Sequence, residues 1–189
     1  MAEVETESAG QLEAAADARR RTARSMIRQW GDPVLTTTAR EVTVFDEALR
    51  DELDAMGRLM HQAQGVGLAA NQVGTLHRVL VYAVDGGEGP VRSLVNPVVE
   101  WHGDDVEVGP EGCLSLTGVD LEVERFVHLR VSAQDGYGEP IVVEASGFEA
   151  RVIQHEMDHL DGVLILDRAA RNQRKQALRT LREQARDAA

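Results

Sequence analysis

The chain has 189 residues, the length of one ordinary domain, with the 43% hydrophobic and 28% charged residues of a soluble globular protein. No apolar run approaches the ~20 residues that span a bilayer, which argues against a membrane protein. The net charge of -12 argues against a DNA-binding or general nucleic-acid-binding role, although residues 168–189 carry seven basic residues against two acidic ones, leaving about -17 on the remainder.

The opening Met1-Ala2-Glu3-Val4-Glu5-Thr6-Glu7 is acidic and has the character of neither a secretory signal nor an Arg-rich transit peptide. The single cysteine permits no internal disulfide, and the expected location is a reducing cytoplasm. Residues 1–24 are Ala/Glu-rich and then Arg-rich without apolar periodicity, and read as a mobile or weakly helical extension. Gly31-Asp32-Pro33 is a turn that opens the catalytic domain, taken as residues 25–168. Over residues 46–62, Leu49, Leu53, Met56 and Met60 follow helical spacing and predict an amphipathic helix. Gly65-Val66-Gly67 breaks it.

Residues 78–84 read as a buried strand, followed by a turn at Asp85-Gly86-Gly87. An extended run over residues 91–101 is interrupted by Asn96-Pro97, which suggests an edge or a bend. Residues 119–131 alternate, Asp135-Gly136-Tyr137-Gly138 is a turn, and residues 141–144 form a short strand. The last two stretches predict a hairpin. Gly147 precedes and Gly162 stops a helix, and a final basic helix is expected over residues 167–186. Strands grouped together and followed by helices give an α+β class. The expected arrangement is antiparallel sheets packed around a central helix, with residues 169–189 as the basic C-terminal helix.

That central helix carries His155-Glu156-Met157-Asp158-His159, an H-E-x-x-H pattern. Side chains four apart share a helix face, so His155 and His159 can grip one metal ion. Glu156 then stands beside the ion, placed as general base for the water it activates. The same pattern also arises in unrelated helices with surface histidines. Here apolar Val152, Ile153, Met157 and Leu160 surround it, and a buried His-Glu-His group is costly without partners.

A catalytic site of this kind usually has a third protein ligand. The longer H-E-x-x-H-x-x-G-x-x-H pattern would need a histidine where Ile165 stands, and Glu183 lies on the basic helix. Cys113, in Glu111-Gly112-Cys113-Leu114-Ser115, is either a small buried hydrophobe or the missing ligand. Its place after a Gly-Pro-Glu-Gly run favours the second, with Gly112 allowing close approach of the backbone.

Three separated motifs carry a resemblance to the peptide deformylases. They are Gly65-Val66-Gly67-Leu68-Ala69-Ala70-Asn71-Gln72, Glu111-Gly112-Cys113-Leu114-Ser115, and Gln154-His155-Glu156-Met157-Asp158-His159. Gly31-Asp32-Pro33-Val34-Leu35 and Asn96-Pro97 fit as well. The resemblance implies hydrolysis of the formyl group from N-formylmethionyl peptides of newly made proteins. It also implies Cys113, His155 and His159 as ligands of Fe²⁺, with Zn²⁺, Ni²⁺ or Co²⁺ able to take the site. Glu156 would pass a proton to the departing amine, and Gln72 and the Leu114 N–H would bind the oxyanion. The Val66–Gly67 edge would pair with the peptide, Glu111 would lie on the substrate-entry side, and the C-terminal helix would dock on the ribosome. Thr117 departs from the family, which commonly has proline there. The alternatives to set against this reading are a metallopeptidase or another amidase using the same chemistry, and a non-catalytic binding module.

Overall fold

The computed structural model describes residues 2–84 and 89–187, residues 2–12 by backbone alone. The turn expected at Asp85-Gly86-Gly87 falls outside them. Residues from the N-terminus form helix α1 (Ala2–Ser25), and α2 spans Glu47–Gln62. The Asp46 carboxylate caps α2 by accepting the Leu49 N–H at 3.1 Å. Leu49, Leu53, Met56 and Met60, the positions read from the sequence, form its buried stripe together with Leu59.

Strands β1 (Gly67–Ala69), β2 (Val79–Tyr82), β3 (Arg92–His102), β6 (His128–Gln134) and β7 (Pro140–Ser146) make one antiparallel sheet, in the order β1-β2-β3-β6-β7. Strands β4 (Val106–Gly112) and β5 (Asp120–Phe126) make a separate antiparallel pair. Period-two alternation divides β2 between two cores. Val79 and Val81 join α2 on one face, and Leu80 and Tyr82 join α3 (Gly147–Leu160) on the other. Each fully buried aliphatic side chain there contributes about 1.5–3 kcal/mol.

Three expectations change in detail. The stretch 119–131 is two strands, β5 and β6, in different sheets. Only β6 forms the hairpin with β7. The run with Asn96-Pro97 is no edge, since β3 pairs with both β2 and β6. It bends instead: Asn96 takes φ +52 at a register shift, and its side-chain amide bonds both the N–H and C=O of Val42. The C-terminal segment is broken at Ala169 into α4 (Ile165–Arg168) and α5 (Arg171–Asp187). Helix α5 buries only Ala177 and Leu181, leaving Arg171, Arg174, Lys175, Arg179, Arg182 and Arg186 exposed.

Helix α3 ends as its glycine predicts. Gly162 takes φ +73, with Val163 N–H donating to Asp158 C=O at 2.8 Å and Gly162 N–H to His159 C=O at 3.0 Å. This stop fixes the last turn, which carries His159. No helix among the described residues is long and apolar enough to cross a membrane.

Candidate metal centre and active site

Strand β4 ends at Gly112, so Cys113 leaves the sheet beside α3, which presents His155 and His159 one turn apart. One donor atom from each of the three residues lies within 4.8 Å of the others. Cys113 Sγ is 3.2 Å from His159 Nε2. A thiol and two imidazoles converging in this way suit a divalent transition metal with one coordination position left open. Glu156 is buried beside them, and its Oε2 meets no hydrogen-bond partner among the described residues. Burial pushes the Glu156 carboxyl up to about 7.

Behind the cluster lies a buried ion network. Glu111 Oε2 pairs with His155 Nδ1 at 3.0 Å, and the Glu111 carboxylate accepts two bonds from Arg125 at 2.8 and 2.9 Å. Arg125 reaches on to Asp158 at 2.6 Å, and Asp158 accepts two further bonds from Arg168. Burial alone would raise the Glu111 pKa. The bonds from Arg125 and His155 outweigh it and lower the value to about 2. A carboxylate on Nδ1 of His155 leaves Nε2 for the cluster and orients the ring. On the last turn, Asn71 Nδ2 donates to the His159 carbonyl.

In front, the Gln72 side chain is oriented through its oxygen, which accepts the Ala69 N–H at 2.9 Å. Its amide nitrogen donates to Ser115 Oγ at 3.1 Å and points at Cys113 Sγ, 3.7 Å away. Gly67 lies directly against Glu156, where any Cβ would overlap the carboxyl group. It belongs to β1, an outer strand of the sheet, and lines a cleft of about 420 Å³ together with Val66, Gln72, Glu111, Gly112, Cys113, Leu114, His155 and Glu156.

Residues 25–175 match the family model for polypeptide deformylase. Peptide deformylase 1 of Corynebacterium efficiens is 48% identical over 157 residues, covering 82% of this chain and 93% of the relative. The chain belongs to the polypeptide deformylase family. The peptide deformylase of Thermotoga maritima is 46% identical over 142 residues, or 75% of this chain and 85% of that one. Among solved structures, the Plasmodium falciparum deformylase superposes with a TM-score of 0.81 at 31% identity, covering 85% of this chain and 95% of that one. The Synechococcus elongatus enzyme in complex with actinonin gives 0.78 at 41% identity, covering 82% and 85%. The chain is accordingly a metal-dependent hydrolase that removes the formyl group from formylmethionyl peptides of nascent chains.

The residues singled out in this deformylase's sequence lie together in the cleft, while His159 stands just behind it in the cluster. Glu111 lines the cleft but belongs chiefly to the buried network behind the cluster. It is only 6% exposed and holds His155. Sequence reading missed Arg125 and Arg151, and it gave no role to Asp158 and Ser115, which stand inside the quoted motifs. Arg125 did leave a signal, because it shares the inward parity of Leu121 and Val123 on β5. A charge at an inward strand position requires a buried partner. Thr117, where the family commonly has proline, donates through its hydroxyl to Gln29 Oε1 at 3.1 Å, and Gln29 Nε2 donates to Leu114 C=O at 3.0 Å. The hydroxyl thus braces the segment that carries Leu114.

Proposed function

We propose that deformylation is carried out here with Cys113, His155 and His159 holding one divalent metal ion, Fe²⁺ in the cell. The observation that carries this reading is the convergence of a thiol and two imidazoles beside a buried glutamate, one of whose oxygens has no partner among the described residues. When bound, the ion would supply Lewis acidity and a water that is nucleophilic at neutral pH. Glu156 takes the proton of the attacking water and delivers it to the departing amine. Its buried oxygen without a partner among the described residues suits a group that must both accept and return a proton. Gln72 Nε2 and the Leu114 N–H donate to the formyl oxygen as it gains negative charge, a contribution of about 3–4 kcal/mol per donor in comparable sites.

The substrate backbone pairs as an added strand along Val66–Gly67, with Gly112 on the opposite wall. Residues 25–168 make up the catalytic domain in this reading, in the cytoplasm. The exposed cations of α5 dock on ribosomal RNA. Deleting residues 170–189 should weaken ribosome association, and unchanged association would remove that part.

The deciding assay offers formyl-Met-Ala-Ser and a blocked internal peptide. Release of formate from the first alone is expected. Cleavage of the second would favour a metallopeptidase. Metal analysis of anaerobically purified protein should find iron in about one-to-one ratio; zinc alone would overturn the choice of ion.

A further inference from the structure

The family match begins at residue 25, yet the residue just before it also lines the active-site cleft. Arg24, from the last turn of α1, stands there with Gln64, Gly65 and Val66. The end of α1 is anchored in place. Ala23 is buried in the core shared with α2. Arg24 Nε donates to Ala63 C=O at 3.3 Å, and Arg20 Nη1 donates to Gln64 Oε1 at 2.7 Å. The Arg24 guanidinium is exposed, with no carboxylate partner among the described residues.

The direction of the cleft decides which part of a substrate meets Arg24. Gly67 marks the reacting end, pressed against Glu156, and beyond it Leu68 and Ala69 are fully buried. A peptide with its formyl group at the cluster can therefore leave only the other way. It passes Gly65, which lies against Leu114, toward Gln64 and Arg24. Gln64, in a turn at φ +59, is three residues before Gly67 and so at most about 10 Å from it, a span that an extended peptide covers in its second or third residue after formylmethionine.

The other charges in the cleft do not compete for that position. Arg151 is bound to Glu111 and to the carbonyls of Gly109, Val123 and Glu107. Asp120 stands opposite Gly112, next to Cys113, and Glu111 and Glu156 lie at the cluster itself. Arg24 is the one cation at the outer rim among the described lining residues that has donors to spare.

We infer that Arg24 is a specificity-determining residue that binds a carboxylate on the second or third residue after formylmethionine, giving the enzyme a preference for acidic side chains there. The inference rests on the deformylase reading and adds to it a contact made by α1, outside the matched family region.

The test uses C-terminally amidated formyl-Met-Ala-Xaa-Ala and formyl-Met-Ala-Ala-Xaa, with Asp, Asn or Lys at Xaa, at low and high salt. In at least one series the Asp peptide should exceed the Asn peptide in kcat/KM by about threefold to tenfold at low salt, through KM, and salt should shrink the ratio. Arg24→Gln should bring the ratio to about one, Arg24→Lys should keep part of it, and Arg24→Glu should invert it toward Lys. Because each ratio is taken within one variant, loss of folded enzyme cancels. A ratio near one in the unsubstituted enzyme, or one unmoved by Arg24→Gln, overturns the inference while leaving deformylation intact. Failure to release formate from any of these peptides would overturn the deformylase reading and this inference together.

Discussion

Behind the cluster, Glu111, Arg125, Asp158 and Arg168 spend their donors and acceptors on one another and on His155. In front of it, Glu156 keeps a carboxylate oxygen without a partner, and Gly67 leaves an outer strand facing the cleft. The back wall is closed by internal pairing. Its groups are therefore fixed before any substrate arrives, which is what orienting a ligand imidazole requires. The front wall is less closed, with one Glu156 oxygen left without a partner among the described residues and free to meet a substrate or ion. His155 has a carboxylate on its Nδ1, whereas Nδ1 of His159 meets no partner among the described residues. The two imidazoles are thus held differently, one by side-chain charge and one through its backbone by Asn71.

Breaking each wall separately should give different failures. Arg125→Met strikes the back wall by removing the buried cation that Glu111 and Asp158 share, so unfolding free energy should fall by about 3–5 kcal/mol in urea titration. A loss under about 1 kcal/mol would show that the network is not structural. Gly67→Ala strikes the front wall by displacing Glu156, and kcat should fall about 100-fold, the usual consequence of a misplaced catalytic group. Unchanged kcat would mean that Glu156 can move without cost.

Glu111→Gln lies between the two. Metal affinity or activity should drop about 10- to 100-fold through the loosened His155, and equilibrium metal binding would reveal an absence of effect. The same variant sharpens the pH behaviour. The Glu111 pKa is lower in the fold than in the unfolded chain, about 2 against 4.5. Its stabilisation is therefore complete above pH 4.5 and is lost as pH falls toward 2. The stability gap between the unsubstituted protein and Glu111→Gln should close over that window. A gap independent of pH there would contradict the charged pairing.

The front wall was legible in the sequence because its residues sit in short contiguous motifs: Gly67 and Gln72 in one, Cys113 and Leu114 in another, His155 and Glu156 in a third. Helices α2 and α3 were legible for a similar reason, since their apolar spacing, the Asp46 cap and Gly162 are local signals. The back wall was legible only in part, since Glu111 and Asp158 stand inside those motifs but nothing local shows their pairing. Arg125, Asp158 and Arg168 are tied by pairing across β5, α3 and α4, and no local spacing announces which carboxylate an arginine will meet. The corner between β5 and β6 was hidden because apolar alternation runs on through Val127 while the hydrogen bonds change sheets. Strand β4 was obscured by Gly109 and Pro110, residues that ordinarily mark turns.

The central claim is that Glu156 acts as the base beside a metal it does not ligate. Glu156→Gln keeps the size of the side chain and removes the proton acceptor. Metal content, formate release and unfolding should be measured on one anaerobic preparation of this variant. About one metal ion per chain, a folded protein and a kcat lower by about 10²–10⁴ are expected. Turnover within a few-fold of the unsubstituted enzyme, or loss of the metal along with the activity, would contradict that claim.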